Sequence, residues 1–252
     1  QVAELYAVRI DPTPTPTALP TPAPTILRDP DHEFDFRGCS DSSATADTGV
    51  EGTNITATAK DDAYCSDDGI VLDGSGDYVD VTPWQFAGAL TFEVYVYQTA
   101  KITGARLWSF YDSGGTDDAG MKFHQAGNYD YFAFFDRPAS SSDFTSDTSS
   151  SLFPNNVWVH IVLSLDAAGN VAIYKNGDED NSASGFSTSS PWDFDTHRIG
   201  CDHEASRAFS GTIAYLRFWH GEALGAGQVA ELYADRSFVA QAPTLEPTLE
   251  PT

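Results

Sequence analysis

Carboxylates are the side chains of this chain most able to do chemistry, and calcium binding is the chemistry that they favour. The 252 residues include 37 Asp and Glu against 13 Lys and Arg, which gives a formal net charge of −24. Calcium prefers carboxylate and carbonyl oxygens, so acidic loops are candidate sites, although such a charge often serves solubility alone. The same charge argues against nucleic acid and anionic lipid as partners, because both need clustered Lys and Arg.

Hydrolytic and nucleotide-dependent chemistry finds no support in the sequence. The zinc-protease, nucleophile-elbow, phosphate-loop and dinucleotide-binding patterns do not occur. The six His residues are scattered, and His160 follows Trp158 on an alternating run, where a packed structural His is the usual outcome. The adjacent residues Asp202, His203 and Glu204 could hold a metal, but such loop residues are more often solvated. We therefore predict that the chain is not an enzyme.

The three cysteines divide into a pair and a single residue. Cys39 and Cys65 flank a polar stretch of 25 residues, which predicts a loop closed by a disulfide that stabilises by about 3 kcal/mol. Asn54 in this stretch begins an N-glycosylation sequon, and both features indicate a secretory route and an extracellular location. Three free thiols and an unused sequon are the alternative. Cys201 is left over as a buried thiol, a free thiol or the partner of a cysteine in another chain.

An internal repeat indicates the domain organisation. Residues 1–9 read QVAELYAVR and residues 228–236 read QVAELYADR, so eight of nine positions agree at an offset of 228 − 1 = 227 residues. A Pro/Thr-rich tract follows each copy, and alternating Pro and Thr favour stiff polyproline II. We interpret 1–10 as the tail of a preceding module, 11–25 as a linker, 26–240 as one module and 241–252 as the next linker. A terminal helix duplicated in a single-module protein is the alternative.

The linkers and the start of the chain suggest a piece of a longer glycoprotein. The linker threonines are candidate O-glycan acceptors, as in stalk-like segments. They are Thr13, Thr15, Thr17, Thr21, Thr25, Thr244 and Thr248. The chain begins inside a helical phrase with neither an initiator Met nor a signal peptide, which suggests a fragment or a processed product. No run of 18 apolar residues occurs, so we predict no membrane insertion.

Between the linkers, short runs alternate apolar and polar residues, which predicts β-strands. Residues 91–97, 157–165 and 211–220 are the clearest runs, and turn residues rich in Gly and Asn separate them. Many short strands with frequent turns predict an all-β fold, a two-sheet antiparallel sandwich. The exception is one short C-terminal helix over 228–234, whose Val229, Leu232 and Tyr233 should pack against the sandwich.

Six phrases follow one another in a specific order along the module. They are GIVLDG at 69–74, DYVD at 77–80, LTFEVYV at 90–96, WVHIV at 158–162, IYKNG at 173–177 and FSGTIAYLRFW at 209–219. In series they resemble laminin G-like modules of the concanavalin A-like jelly-roll superfamily, to which pentraxins are related. The resemblance covers about residues 33–236 and implies a two-sheet antiparallel jelly-roll sandwich flanked by the Pro/Thr-rich linkers.

The resemblance also bears on catalysis and on calcium. Related glucanases carry two carboxylates, two or four residues apart, on one strand that faces the concave side. Here the comparable strand offers Glu93 alone, because Tyr95 and Tyr97 stand where a partner would be. Related modules often hold Ca²⁺ in rim loops, which implies ligands in 112–118 and 200–204. The candidate ligands are Asp117, Asp118, Asp202 and Glu204, and solvated loops without an ion are the alternative.

Sugar binding is the remaining implication of the resemblance. Sugar sites pair an aromatic platform with polar groups, and Trp192, Tyr129 and Tyr131 are the candidates for such a platform. A Trp in a Pro-Trp-Asp-Phe turn is also often a loop anchor, which is the alternative for Trp192. The tryptophans within strands are predicted to be core residues instead; they are Trp108, Trp158 and Trp219.

Two functions remain open. The first is a non-catalytic structural repeat module of a long secreted glycoprotein, in which copies of the module self-assemble into an extracellular filament, flagellar hair or surface fibre, with Cys201 as a candidate link. The second is a carbohydrate-binding, lectin-like adhesion module that binds glycans, with Ca²⁺ as a candidate cofactor. The two are compatible, since a fibre can also bind glycans.

Overall fold

The computed structural model describes residues 27–40, 44–112, 120–125, 132–136, 143–145, 154–186, 191–202 and 204–235. In 120–125, 132–136 and 143–145 only the strand pairing is described. Most of the predicted module 26–240 is therefore covered. The predicted segments 1–10, 11–25 and 241–252, with the O-glycan threonines in them, lie outside the described residues.

The described residues form sixteen strands and one helix, as the alternating sequence pattern predicts. The helix is α1, Ala226–Asp235, one to two residues longer at each end than the predicted 228–234. The strands are β1 His32–Asp35, β2 Thr45–Ala46, β3 Thr56–Lys60, β4 Tyr64–Ser66, β5 Gly69–Asp73, β6 Tyr78–Val81, β7 Leu90–Ala100, β8 Arg106–Tyr111, β9 Gly120–Gln125, β10 Phe132–Asp136, β11 Asp143–Thr145, β12 Trp158–Leu165, β13 Asn170–Lys175, β14 Asp178–Ser184, β15 Thr196–Ile199 and β16 Ser210–His220.

Two antiparallel sheets confirm the predicted sandwich. The first sheet has the strand order β14-β13-β12-β7-β16-β5-β4, and β1 also pairs with β16. The second sheet has the order β11-β10-β9-β8-β15-β6-β3-β2. Neighbours in space are often distant in sequence, as with β7 and β16, which is the connectivity that a jelly roll requires.

The core lies between the inner faces of the two sheets. Along β7 the residues Phe92, Val94 and Val96 are buried at every second position, which is the period of a strand with one face inward. Phe92 stacks on Trp108 of the second sheet at a ring-centroid distance of 4.0 Å. Trp108 is 1% exposed, so its predicted core position is confirmed.

Helix α1 covers part of the outer face of the first sheet. A ten-residue helix is marginal on its own in water, so its stability comes from docking. Val229 and Leu232 are buried against the sheet, as predicted, and together contribute about 4 kcal/mol by apolar burial. The full apolar cluster under the helix is Val162, Tyr174, Trp219, Leu224, Val229 and Leu232.

The cysteine prediction is confirmed for the pair. Cys39 and Cys65 form a disulfide with a Cα–Cα distance of 5.5 Å, and it ties the segment after β1 to β4. Cys201 is a free thiol with 0% exposure. Within the described part of the chain, no helix is long and apolar enough to cross a membrane.

Candidate functional site

The outer face of the first sheet brings a buried carboxylate together with aromatic and basic side chains. Phe92 and Val94 of β7 point into the core, so the alternating residues Glu93, Tyr95 and Tyr97 point outward. These three residues were singled out in the sequence because they occupy the positions of a glucanase carboxylate pair. The structure places them on one face, in a row along the strand.

Three aromatic side chains form a half-exposed surface on this face. Tyr97 lies opposite Trp158 of β12 on one side and opposite Thr212 of β16 on the other. The Trp158 ring lies 4.8 Å from the ring of Tyr95, at an interplanar angle of 24°, and 5.6 Å from the ring of Tyr97. All three rings are partly accessible to solvent. We refer to Tyr95, Tyr97 and Trp158 as the aromatic platform.

A buried carboxylate lies directly beside the platform. Glu93 is 0% exposed, and its Oε1 accepts hydrogen bonds from His160 Nε2 at 2.8 Å and from the Tyr215 hydroxyl at 3.1 Å. Its Oε2 accepts from Arg217 Nη1 at 3.4 Å. Register explains the cluster: Arg217 lies opposite Glu93, while Tyr215 and His160 lie opposite Tyr95 on either side.

The electrostatics of this cluster keep Tyr215 protonated and Arg217 charged. Burial raises the pKa of the Tyr215 hydroxyl, and the negative charge of Glu93 raises it further, so the phenol stays protonated. Burial opposes the charge of Arg217, but the carboxylates of Glu93 and Glu33 outweigh this effect and raise the pKa of the guanidinium. The Glu33 contact is the shorter one, at 2.6 Å from Arg217 Nε.

A second arginine closes the cluster on the side of β1. The Arg37 guanidinium carbon lies 5.3 Å from the Tyr215 ring centroid, and that of Arg217 lies 4.7 Å from it. Arg37 forms a two-point ion pair with Asp35. The two guanidiniums are therefore matched by the carboxylates of Asp35, Glu33 and Glu93, and the face holds no excess positive charge among these groups.

The tryptophan assignments from the sequence need correction. Trp158, predicted to lie in the core, is half-exposed in the aromatic platform. The sequence contained the signal for this position. Side chains alternate between the two faces of a strand, and Val159 and Ile161 of β12 point into the core, so Trp158 points outward. Trp192, a predicted sugar-stacking residue, is 6% exposed and packs against Phe86 at 5.3 Å in the core.

The other two predicted platform residues, Tyr129 and Tyr131, lie outside the described residues. The predicted glycosylation residue Asn54 is exposed, in a turn that precedes β3, so its amide is accessible. N-glycosylation at Asn54 stays a prediction.

Only two of the four predicted calcium ligands, Asp202 and Glu204, lie within the described residues. Asp117 and Asp118 lie outside the described residues. Asp202 is 1% exposed, and its carboxylate accepts hydrogen bonds from the backbone N–H groups of Glu204 and Ser206 and from the Ser206 hydroxyl. It therefore closes its own loop, while Glu204 is exposed to solvent. Calcium binding by this loop stays a prediction.

Another acidic group, which sequence reasoning missed, lies where two loops meet. Asp61, Asp62 and Asp77 each place one carboxylate oxygen within 4.8 Å of the others. Burial raises the pKa of Asp77 to about 6, and the neighbouring charges of Asp73 and Asp62 add to the effect. Residues 61 and 77 are separated by two strands, so only the pairing of β3 with β6 brings them together.

Cys201 is poorly placed for an intermolecular link, which was one of the three alternatives that the sequence left open. Its Sγ donates a hydrogen bond to the backbone oxygen of Asp202 at 3.1 Å, and burial raises the pKa of the thiol to about 12. A thiol from another chain cannot reach a side chain with 0% exposure unless the loop opens. The structure therefore favours the buried alternative.

Comparison with known proteins adds a family. The sequence model of a laminin G-type family, described as the concanavalin A-like lectin/glucanases superfamily, matches residues 73–230, more than half of the chain. No curated protein sequence matches this chain.

Solved structures show the fold at low identity. The ligand-binding domain of botulinum neurotoxin serotype D, in complex with N-acetylneuraminic acid, has a TM-score of 0.61 and 13% identity over 82% of this chain and 51% of that one. The serotype G binding domain has a TM-score of 0.61 and 17% identity over 83% and 51%. Trypanosoma rangeli sialidase with sialic acid has a TM-score of 0.60 and 14% identity over 84% and 33%. This chain thus spans a third to a half of those chains.

Proposed function

Because this chain belongs to the concanavalin A-like lectin/glucanase superfamily, we propose that it is a non-catalytic carbohydrate-binding module. The single observation that carries the proposal is the aromatic platform of Tyr95, Tyr97 and Trp158 on the outer face of the first sheet. Aromatic faces bind the apolar faces of sugar rings, and neighbouring polar groups orient the hydroxyls. Thr212, opposite Tyr97, supplies a hydroxyl at the edge of the platform.

The surroundings of the platform favour binding over hydrolysis. Hydrolysis needs a general acid and a second carboxylate that both reach the substrate. Glu93 is 0% exposed and its two oxygens are already held by His160, Tyr215 and Arg217. Its role is to hold the residues next to the platform in place. The absence of catalysis, predicted from the sequence, is therefore part of the proposal.

Charge narrows the ligand to a neutral glycan. Two guanidiniums near the platform, those of Arg37 and Arg217, form ion pairs with three carboxylates. The carboxylates are those of Glu33, Asp35 and Glu93. The whole chain carries a formal charge of −24, so an anionic sugar would approach against an unfavourable field. The sialic acid in the botulinum and trypanosomal structures is a ligand of those proteins. For this chain we expect neutral sugars to bind more tightly.

A glycan array followed by calorimetry tests the proposal. We expect one or more neutral glycans to bind, and Trp158→Ala or Tyr97→Ala to weaken binding at least about tenfold, or about 1.4 kcal/mol. Tyr64→Ala is the matched control, because Tyr64 is 53% exposed on β4, at the edge of the same sheet. Equal affinity in the platform variants and the control would place the sugar elsewhere, and no binding across the array would reject the function. Release of shortened glycan would contradict the non-catalytic part.

A structural role in a repeat protein is the second candidate, and helix α1 favours it. The repeated phrase forms this helix, and its Val229 and Leu232 are buried in the fold. The nearly identical phrase at residues 1–9 has Val2 and Leu5 at the matching positions, as the last helix of a preceding module would. We propose that such modules are arranged in tandem in a secreted glycoprotein that forms a filament. The disulfide is compatible with an extracellular location.

Self-assembly is tested by sedimentation. We expect the chain at increasing concentration to form oligomers that pellet in a spin assay, and the Pro/Thr-rich segments to carry glycan when the protein is secreted. A chain that stays monomeric at high concentration would leave the sugar-binding role without the filament.

Calcium is proposed as a structural ion of this module. The Asp61, Asp62 and Asp77 group supports it, because a cation would relieve the repulsion among three adjacent carboxylates. We expect Ca²⁺ to raise the thermal midpoint and a chelator to lower it, with a smaller response in Asp77→Asn. An identical midpoint with Ca²⁺ and with chelator would reject the proposal.

A further inference from the structure

We propose that His32, His220 and Glu51 form a binding site for a divalent transition-metal ion of the Zn²⁺ class. One ligand atom from each residue lies within 4.8 Å of those of the other two. His32 is buried, His220 is half-buried and Glu51 is exposed, so the group runs from the interior to the surface. The site shares no residue with the aromatic platform and does not depend on sugar binding.

The state of His32 is the main argument. Its Nδ1 lies 2.6 Å from Asp47 Oδ2, and Asp47 Oδ1 accepts from the backbone N–H groups of Glu33 and Gly49. In the tautomer that donates Nδ1–H to this carboxylate, Nε2 presents its lone pair on the opposite side of the ring. That Nε2 is buried and has no hydrogen-bond partner, although the ring is 1% exposed.

A lone pair in this state calls for a ligand. A buried polar atom without a partner costs about 1–3 kcal/mol, so folded proteins rarely keep one without a purpose. An imidazole whose Nδ1–H is held by a carboxylate is also the arrangement that prepares Nε2 to bind a metal, because the carboxylate fixes the tautomer and raises the basicity of the ring. Asp47 therefore acts as a positioning residue for His32.

The other two ligands, Glu51 and His220, are both positioned by Asp31. His220 Nε2 lies 2.8 Å from Glu51 Oε2, so the imidazole nitrogen and the carboxylate oxygen already lie side by side, where a metal would bind both. The backbone N–H of Glu51 donates to the backbone oxygen of Asp31, and the backbone N–H of His220 donates to the carboxylate of Asp31. Both ligands are thus fixed to Asp31, the residue that precedes His32.

The ligand set selects the class of ion. Two imidazole nitrogens and one carboxylate oxygen suit Zn²⁺ and its neighbours, whereas Ca²⁺ and Mg²⁺ prefer oxygen alone. Bonds of about 2.0–2.1 Å in a tetrahedral site place ligand atoms about 3.4 Å apart, so the group needs only a small closure. The charges of Glu51 and Asp47 balance a divalent cation, and the exposed Glu51 gives it a path to the site.

Calorimetric titration of the chelator-treated 252-residue chain with ZnCl2 tests the site. We expect saturable binding that Glu51→Gln and His220→Gln each weaken at least about 100-fold, since each removes a direct ligand. Asp47→Asn should weaken it about 10- to 100-fold through His32. Glu231→Gln, the same chemical change at an exposed position of α1, is the matched control and should bind as the unmodified chain does.

Folding is measured separately, so that the loss of a metal ligand can be distinguished from misfolding of the variant. Each variant is melted without metal, and we expect Glu51→Gln and His220→Gln to retain the far-ultraviolet spectrum of the unmodified chain. The proposal is overturned if Zn²⁺ does not bind saturably. It is equally overturned if Zn²⁺ binds but folded Glu51→Gln and His220→Gln keep the affinity of the control, because the ion would then be held by other residues.

Discussion

Replacing Glu93 by Gln is the sharpest test of how the platform is supported. The substitution conserves volume and removes one charge from a side chain with 0% exposure. Three donors lose their anionic acceptor: His160 Nε2 at 2.8 Å, the Tyr215 hydroxyl at 3.1 Å and Arg217 Nη1 at 3.4 Å. Breaking a buried charged pair costs about 3–5 kcal/mol, because the remaining partner is left without compensation.

The expected value lies at the low end of that range. Arg217 keeps its contact with Glu33 at 2.6 Å, and the amide oxygen of Gln can still accept one hydrogen bond. We therefore expect Glu93→Gln to lower the free energy of unfolding by about 3 kcal/mol. With a urea m-value of about 2 kcal/mol per molar, the midpoint of unfolding should fall by about 1.5 M.

Glu33→Gln is the matched control for this experiment. It makes the same chemical change and acts on the same arginine, but the Glu33 side chain is 24% exposed. Solvent screens such a pair, so the expected loss is at most about 1 kcal/mol. Both variants are unfolded in urea at neutral pH and monitored by tryptophan fluorescence. A loss below about 0.5 kcal/mol in Glu93→Gln, or equal losses in the two variants, would refute the assignment of Glu93 as a buried electrostatic support.

Three further predictions concern the disulfide, the free thiol and an acidic group. Replacing Cys39 and Cys65 together by Ser should lower the free energy of unfolding by about 3 kcal/mol, measured in urea, because the closed loop no longer restricts the unfolded chain; a change near zero would contradict this account. Cys201 should react with a thiol reagent at pH 8 only after denaturation, since burial raises its pKa to about 12, and fast reaction of the folded chain would argue against its burial. The pKa of Asp77 is raised to about 6, so the folded state holds this proton more tightly than the unfolded state and stability falls as the pH rises from about 4 to about 6. Asp77→Asn, melted from pH 3 to pH 8 without Ca²⁺, should be about 1–3 kcal/mol more stable than the unmodified chain at pH 8 and equal to it at pH 3. A pH-independent difference would contradict the titration of Asp77.

Local sequence patterns predicted much of the fold correctly. A two-residue period in β7 and β12 and turn residues between strands were enough to indicate a sandwich, because strand formation and burial depend on short-range alternation. The Cys39–Cys65 pair was predictable because the two residues are close in the chain and flank one polar loop. The docking residues Val229 and Leu232 followed from helical spacing in the same way.

The tryptophans show where local patterns failed. Trp192 follows Pro in a turn and was a candidate for sugar stacking, yet its ring packs beside Phe86 in the core. Trp158 was predicted to be buried because it lies in a strand, yet it is half-exposed on the outer face. Strand parity separates the two faces of a sheet, but the presence of an aromatic residue does not show which face is covered, because that depends on what packs against the sheet.

The sequence by itself determined the all-β class, the disulfide, the C-terminal helix and the repeat, since each depends on residues close together in the chain or on direct sequence identity. Only the tertiary structure decided the sites. Tyr97 meets Trp158, and His32 meets His220, across strand pairs whose members are separated by long stretches of chain. Side chains become a binding surface when register sets them side by side, and register is fixed by the packing of the whole sandwich rather than by any one segment.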